Sequence, residues 1–171
     1  MVEETENSKV KKPSFRNWTR RFREHVEGGR LERALESITE ARYNDAFNLG
    51  DFFWGDKCPS IAEKIFGKLT EINESDWKPW QNRGILLSVL KRYDEALQSL
   101  ERVTKLTPDC ATALCEMGRI HIYRQNMIKA KEFFRRARQI DPTFVKNYVK
   151  NHLGLENEGE LWNQSTHLMY G

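Results

Sequence analysis

Four histidines, three cysteines and a group of arginines are the residues with which this chain would do chemistry. His25, His121, His152 and His167 are scattered, and none stands in an HExxH pair. There is no GxSxG elbow and no glycine-rich phosphate loop. His121 falls in an apolar helical pattern, where an imidazole packs as a satisfied, half-buried side chain rather than acting as a base. Asp51 and Asp56 are close in sequence but converge on no partner. "EGGR", residues 27–30, follows a helical pattern and not a strand, so it reads as a turn. Cys58, Cys110 and Cys115 lack CxxC spacing, and two neighbouring thiols do not make a tetrahedral metal site. The pattern argues against an enzyme and implies neither metal nor cofactor.

One arrangement points elsewhere. Arg16, Arg20 and Arg23 fall near one helical face, with Trp18 and Phe22 close by. Arginine beside aromatic rings can bind phosphates and stack on bases. However, Phe15, Trp18, Phe22 and Val26 also form an apolar stripe, which would leave the arginines as the wet side of a capping helix. We prefer the structural reading; nucleic-acid or acidic-surface binding through this helix is the alternative.

Composition sets the frame. The chain is 39% hydrophobic and 31% charged, with net charge +3. No run approaches the roughly 18 apolar residues of a membrane helix. "MVEETENSKVKKPS" lacks the apolar core of a secretory signal. The expected location is therefore cytoplasmic, without a membrane partner. Residues 1–12 are charged and without aromatics, and read as a disordered lead-in.

Helical patterns fill the rest. A helix from Ser14 ends at Gly28-Gly29. The apolar set Leu31, Ala34, Leu35, Ile38 and Ala41 marks a second, with no break before Tyr43. From Tyr43, helix–break–helix recurs with unit starts at Tyr43, Trp77, Ala111 and Val145, a spacing of 34 residues. Sizes repeat where identities do not. The eighth position is Gly50, Gly84 and Gly118, then His152. The twentieth is Ala62, Ala96 and Ala130, and the twenty-fourth is Phe66, Leu100 and Phe134. Small residues let an antiparallel helix pair cross closely, and bulky ones fill the groove beside them. Pro108 and Pro142 sit where a second helix should stop.

This pattern resembles the tetratricopeptide repeat. The resemblance implies an all-α, right-handed superhelical stack of antiparallel helix pairs, an α-solenoid. The expected organisation is a degenerate first repeat or capping pair over 13–42, and repeats at 43–76, 77–110 and 111–144. A capping helix over 145–157 and a tail of undecided structure over 158–171 would follow. It also implies a non-catalytic interaction module whose first helices line a concave face that meets a peptide or protein partner. The residues so placed are Asn44, Asn48, Trp54, Asn82, Glu116, Arg119, Tyr123, Lys146 and Lys150. Asparagines can hold an extended backbone, Arg119 and the lysines favour carboxylates, and Trp54 and Tyr123 can anchor an apolar side chain.

Some relatives in the family grip a C-terminal carboxylate with lysines, asparagines and an arginine. Here Phe47 and Asp51 occupy two of those places, and in the next frame Glu116 replaces an asparagine, so that clamp is not expected. The chain reads as a monomer or weak homodimer, any dimer forming through Trp162, Leu168, Met169 and Tyr170 at the solenoid end.

Overall fold

The computed structural model describes residues 14–155 and 159–160. The lead-in 1–12, and the tail 158–171 apart from residues 159–160, lie outside the described residues. Among the described residues nine helices follow one another: α1 Phe15–Glu27, α2 Leu31–Glu36, α3 Tyr43–Gly55, α4 Pro59–Ile72, α5 Trp77–Val89, α6 Tyr93–Leu106, α7 Ala111–Tyr123, α8 Met127–Ile140 and α9 Pro142–Leu153. A 3-10 turn, Glu40–Arg42, leads into α3. No strand occurs among the described residues. The protein is an α-solenoid in which α3–α4, α5–α6 and α7–α8 pair, each pair packing on the next.

The glycine positions explain the pairing. A Cβ on Gly50 would stand 2.7 Å from the Phe66 ring, one on Gly84 2.8 Å from Leu100, and one on Gly118 2.7 Å from the Phe134 ring. The eighth residue therefore meets the bulky twenty-fourth, and at Gly84 the carbonyl of Ala96, the twentieth residue, also comes to 3.4 Å. Ala62, Ala96 and Ala130 are fully buried beside this contact.

The turn within each pair is also repeated. Lys57, Lys91 and Gln125 adopt the left-handed conformation, at φ 58°, 61° and 57°. The amide that follows each of these residues reaches back to the same relative carbonyl: Cys58 to Phe53 at 2.9 Å, Arg92 to Leu87 at 2.9 Å, Asn126 to His121 at 2.8 Å. This is a Schellman closure, which satisfies carbonyls that the helix end leaves open. After α1 the same bond joins Arg30 to His25 at 2.8 Å, with Gly29 at φ 71°. The upstream pair thus shares the turn of the regular units although Phe22 fills its glycine place.

Its second helix differs from the sequence expectation. α2 stops at Glu36, and Ala41 is exposed. The Ser37 hydroxyl donates to the Ala34 carbonyl at 2.6 Å and accepts from the Trp18 indole at 3.2 Å. A serine bonded to a nearby backbone carbonyl competes with helix continuation. Ile38 is nevertheless buried, in one core with Trp18, Phe22 and Ala34.

α9 starts at Pro142, ahead of the expected Val145. Asp141 accepts the Phe144 amide at 2.8 Å, and proline suits a first helical position because its missing N–H is not needed there. Pro142 opens the last helix rather than closing α8.

Candidate binding face of the first helices

α3, α5, α7 and α9 are the first helices of successive units, and polar bonds run directly between them. The Asn82 side chain on α5 donates to Asp51 on α3 at 3.3 Å. Burial pushes the Asp51 carboxyl above its ordinary range. Further along, Arg119 on α7 donates to Ser88 Oγ on α5 at 3.3 Å and to the Tyr148 hydroxyl on α9 at 3.1 Å. It also forms a close ion pair with Glu116 one turn before it. The Tyr148 hydroxyl completes the circuit by donating to Glu116 Oε1 at 2.7 Å.

This network is largely dry. The Arg119 and Glu116 side chains are 13% and 5% exposed. Desolvation alone would lower the Arg119 guanidinium, but the Glu116 carboxylate outweighs it and holds the charge firmly. Burial, then the Glu116 charge, pushes the Tyr148 phenol far up, so it remains a donor at all working pH values. Glu116 was expected as an outward ligand contact. It is buried instead, because the guanidinium beside it supplies the partner that a buried carboxylate requires. Tyr148, which the sequence reading did not place among the face residues, is the missed member. The signal was its hydroxyl at a position held by Ala46, Trp80 and Leu114 in the other units.

The remaining candidates stay accessible to different extents. Asn44, Asn48, Lys146 and Lys150 are exposed, and Asn82 is half-buried. Tyr123 is 52% exposed and stacks on Tyr93 with ring centroids 5.9 Å apart. Trp54 is half-buried against the first core cluster, so only part of its ring is offered. Phe47 packs edge-on against Phe66 at 5.4 Å. Among the described residues no cluster of His, Cys, Asp or Glu could hold a metal ion. Cys110 bonds Gln81 Oε1 at 3.1 Å rather than approaching Cys115.

His121 departs from the expected satisfied imidazole. It is 6% exposed and stacks on Phe133 at 5.4 Å, yet its Nδ1 is buried without a hydrogen-bond partner among the described residues. Burial, then the positive charges of Lys129 and Arg124, lowers its pKa. As pH falls through the ordinary imidazole range, the unfolded chain binds a proton that the folded chain refuses, so stability drops. His121→Leu should raise stability by about 1 kcal/mol and flatten the fall in melting temperature from neutral to mildly acid pH. An unchanged pH profile would show that His121 carries none of it.

Comparison with known proteins fits this architecture. A tetratricopeptide repeat family model matches residues 78–110 and 111–144. The chain carries tetratricopeptide repeats. It is similar to mouse Tetratricopeptide repeat protein 12, 28% identical over 131 residues, which cover 77% of this chain but 18% of that protein. In fold, the MamA protein aligns with a TM-score of 0.63 at 17% identity, over 88% of this chain and 87% of that one. The first tetratricopeptide repeat domain of Spaghetti (RPAP3), bound to an HSP90 peptide, aligns with a TM-score of 0.63 at 17% identity, over 77% and 97%. No described helix of this tetratricopeptide repeat chain is long and apolar enough to cross a membrane.

Proposed function

We propose that the face of α3, α5, α7 and α9, as the concave side of the superhelix, binds a peptide segment or partner protein, and that the chain serves as a non-catalytic adaptor or scaffold in the cytoplasm. One observation carries this reading. The Ser88–Arg119–Glu116–Tyr148 network joins three successive first helices, while Asn44, Asn48, Tyr123, Lys146 and Lys150 stay exposed around it. A face held rigid loses little entropy when a ligand arrives. The Spaghetti domain, which has the same fold, is bound to an HSP90 peptide. Phe47 is occupied in packing and Arg119 is already paired with Glu116, so the face is not arranged for a carboxylate clamp.

The nucleic-acid alternative has less behind it. Trp18 and Phe22 lie in the core and Arg23 covers the Phe52 ring at 4.1 Å, which leaves Phe15 as the one exposed aromatic side chain of α1 for bases to stack on. Self-association through the C-terminal end is without a structural cue, since α9 turns Lys146, Asn147, Lys150 and Asn151 outward. The dimer-forming residues expected in the tail lie outside the described residues.

The test is a pull-down from native lysate with the wild type and with Asn48→Ala/Asn82→Ala/Tyr123→Ala, read by mass spectrometry. The variant spares Arg119, whose loss would damage the fold. A protein retained by the wild type and lost by the variant supports the site. Equal retention of the same proteins by both rejects it.

A further inference from the structure

We propose that α1, at the N-terminal end of the solenoid, pairs antiparallel with α1 of a second copy of this chain. That end is open. Phe52 on α3 is the tenth residue of its unit, and the tenth residues of the next two units, Leu86 and Ile120, are fully buried. Leu86 clusters with Ile65 and Leu69 of α4, and Ile120 with Leu100 and Val103 of α6, so each is covered by the second helix of the unit before it. Those helices have 14 residues, whereas α2, their counterpart ahead of Phe52, has six. Phe52 is accordingly 44% exposed, with the Arg23 guanidinium 4.1 Å from its ring centroid. Phe15, at the start of α1, is 48% exposed. A repeat array caps such an apolar end or joins it to another surface.

The charges on α1 point to what joins it. With 3.6 residues per turn, Arg16, Arg20, Arg23, Glu24 and Glu27 fall within about 100° of arc. All five are exposed and border one shallow concavity. The arginines come first and the glutamates last, an order that serves the helix itself poorly. Its first turn holds no acid, so Arg16 meets the positive end of the helix dipole, and Glu24 and Glu27 meet the negative end. Pairing along the helix does not account for the order either, since an acid four residues before a base is the favourable sense and here it is reversed. Among the described residues the one ion pair within α1 is Arg20 with Glu24, at 3.9 Å and largely in solvent.

A face that is basic in its first half and acidic in its second is complementary to itself turned end for end. In an antiparallel pair, Arg16 faces Glu27 of the second copy and Arg20 faces its Glu24, and the two-fold axis repeats both pairs. The midpoint falls level with Arg21 and Phe22, next to Arg23, so the two exposed Phe52 rings flank the axis and give the contact an apolar centre. Arg23 is drawn over its own Phe52 and stands aside from the row. Arg21 lies on the opposite flank of the helix and takes no part. A nucleic acid fits this face less well, because Glu24 and Glu27 would repel its phosphates. None of these residues belongs to the first-helix face, so either proposal can fail without the other.

The experiment is analytical ultracentrifugation of the full chain over a range of concentrations. The wild type should approach twice the chain mass as concentration rises, and less readily in high salt, because exposed charges are screened. Arg16→Glu/Arg20→Glu and Glu24→Lys/Glu27→Lys should each stay monomeric, with helical circular dichroism unchanged. Mixed one to one, the two variants should form a heterodimer, since one face is then mostly acidic and the other wholly basic. Phe52→Ser, which leaves every charge in place, should move dimer formation to higher concentration. Asn48→Ala/Asn82→Ala/Tyr123→Ala should dimerise like the wild type. A wild type that is monomeric throughout overturns the proposal. So does a dimer that survives both charge reversals, which would place the contact elsewhere on the chain, or a mixture of the reversed variants that stays monomeric. A monomeric wild type that binds a labelled DNA duplex, with binding lost in Arg16→Glu/Arg20→Glu, would give the face to nucleic acid and overturn it as well.

Discussion

Replacing Gly118 by leucine will lower the thermal stability of the whole array. The Cβ alone would come 2.7 Å from the Phe134 Cε2 atom and 2.8 Å from its Cδ2. Real Cβ atoms do not come so close, so even alanine forces a shift. Phe134 cannot turn aside easily, being fully buried and clustered with Leu114, Ala137 and Tyr148 in the last part of the core. Overpacking of this kind costs about 1–3 kcal/mol, and leucine belongs at or above the upper end because α7 and α8 must separate. In a stack of repeats that loss also weakens the interfaces of the damaged unit with α6 and α9. Differential scanning calorimetry of the wild type, Gly118→Ala and Gly118→Leu should show melting temperatures falling in that order. A leucine variant as stable as the wild type would refute the helix crossing described here. Gly55, which has nothing within 4 Å of a built Cβ, is the control: Gly55→Ala should be neutral or slightly stabilising, since alanine is the better helix former by about 1 kcal/mol.

Glu116→Gln should be the most damaging polar substitution. It would leave the Arg119 guanidinium, 13% exposed, without the carboxylate that balances it, and would remove the charged acceptor of the Tyr148 hydroxyl. Breaking a buried pair by neutralising one partner costs about 3–5 kcal/mol, more than the pair itself contributes, because a desolvated charge is stranded. Glu116→Leu/Arg119→Met, which removes both charges, should recover most of that loss, since apolar residues of similar size often replace a buried pair without penalty. Urea denaturation of the three proteins decides it. If Glu116→Gln unfolds at the wild-type midpoint, the network is not structural, and Glu116 and Arg119 return to being ligand contacts. The double variant also separates fold from function: it should stay folded while losing the alignment of Ser88, Tyr123 and Tyr148 around the first-helix face.

Much of the architecture could be read before the structure was known, and the reason is periodicity. Gly50, Gly84 and Gly118 opposite Phe66, Leu100 and Phe134 recur because every unit solves the same packing problem with the same geometry. Such constraints act on size at fixed intervals, and a sequence displays size and interval directly. The contacts within each unit were less visible: the small residues at eight and twenty mark the crossing, but that the glycine faces the bulky residue at twenty-four shows only in the structure. Helix ends were less visible still. Ser37 ends α2 through a hydroxyl bond to Ala34 and Trp18, and Asp141 starts α9 early by capping it; both are single-residue choices with no period to reveal them.

The sequence by itself determined the repeat, the positions of the small and bulky residues, and therefore which helix faces are turned inward. The tertiary structure alone decided which polar side chains remain available. Glu116 and Tyr148 lie 32 residues apart, and Arg119 and Ser88 lie 31 apart. Whether such groups meet depends on the distance between neighbouring helices and on the rotamers that burial permits. Those are properties of two packed surfaces together, so no single stretch of chain contains them.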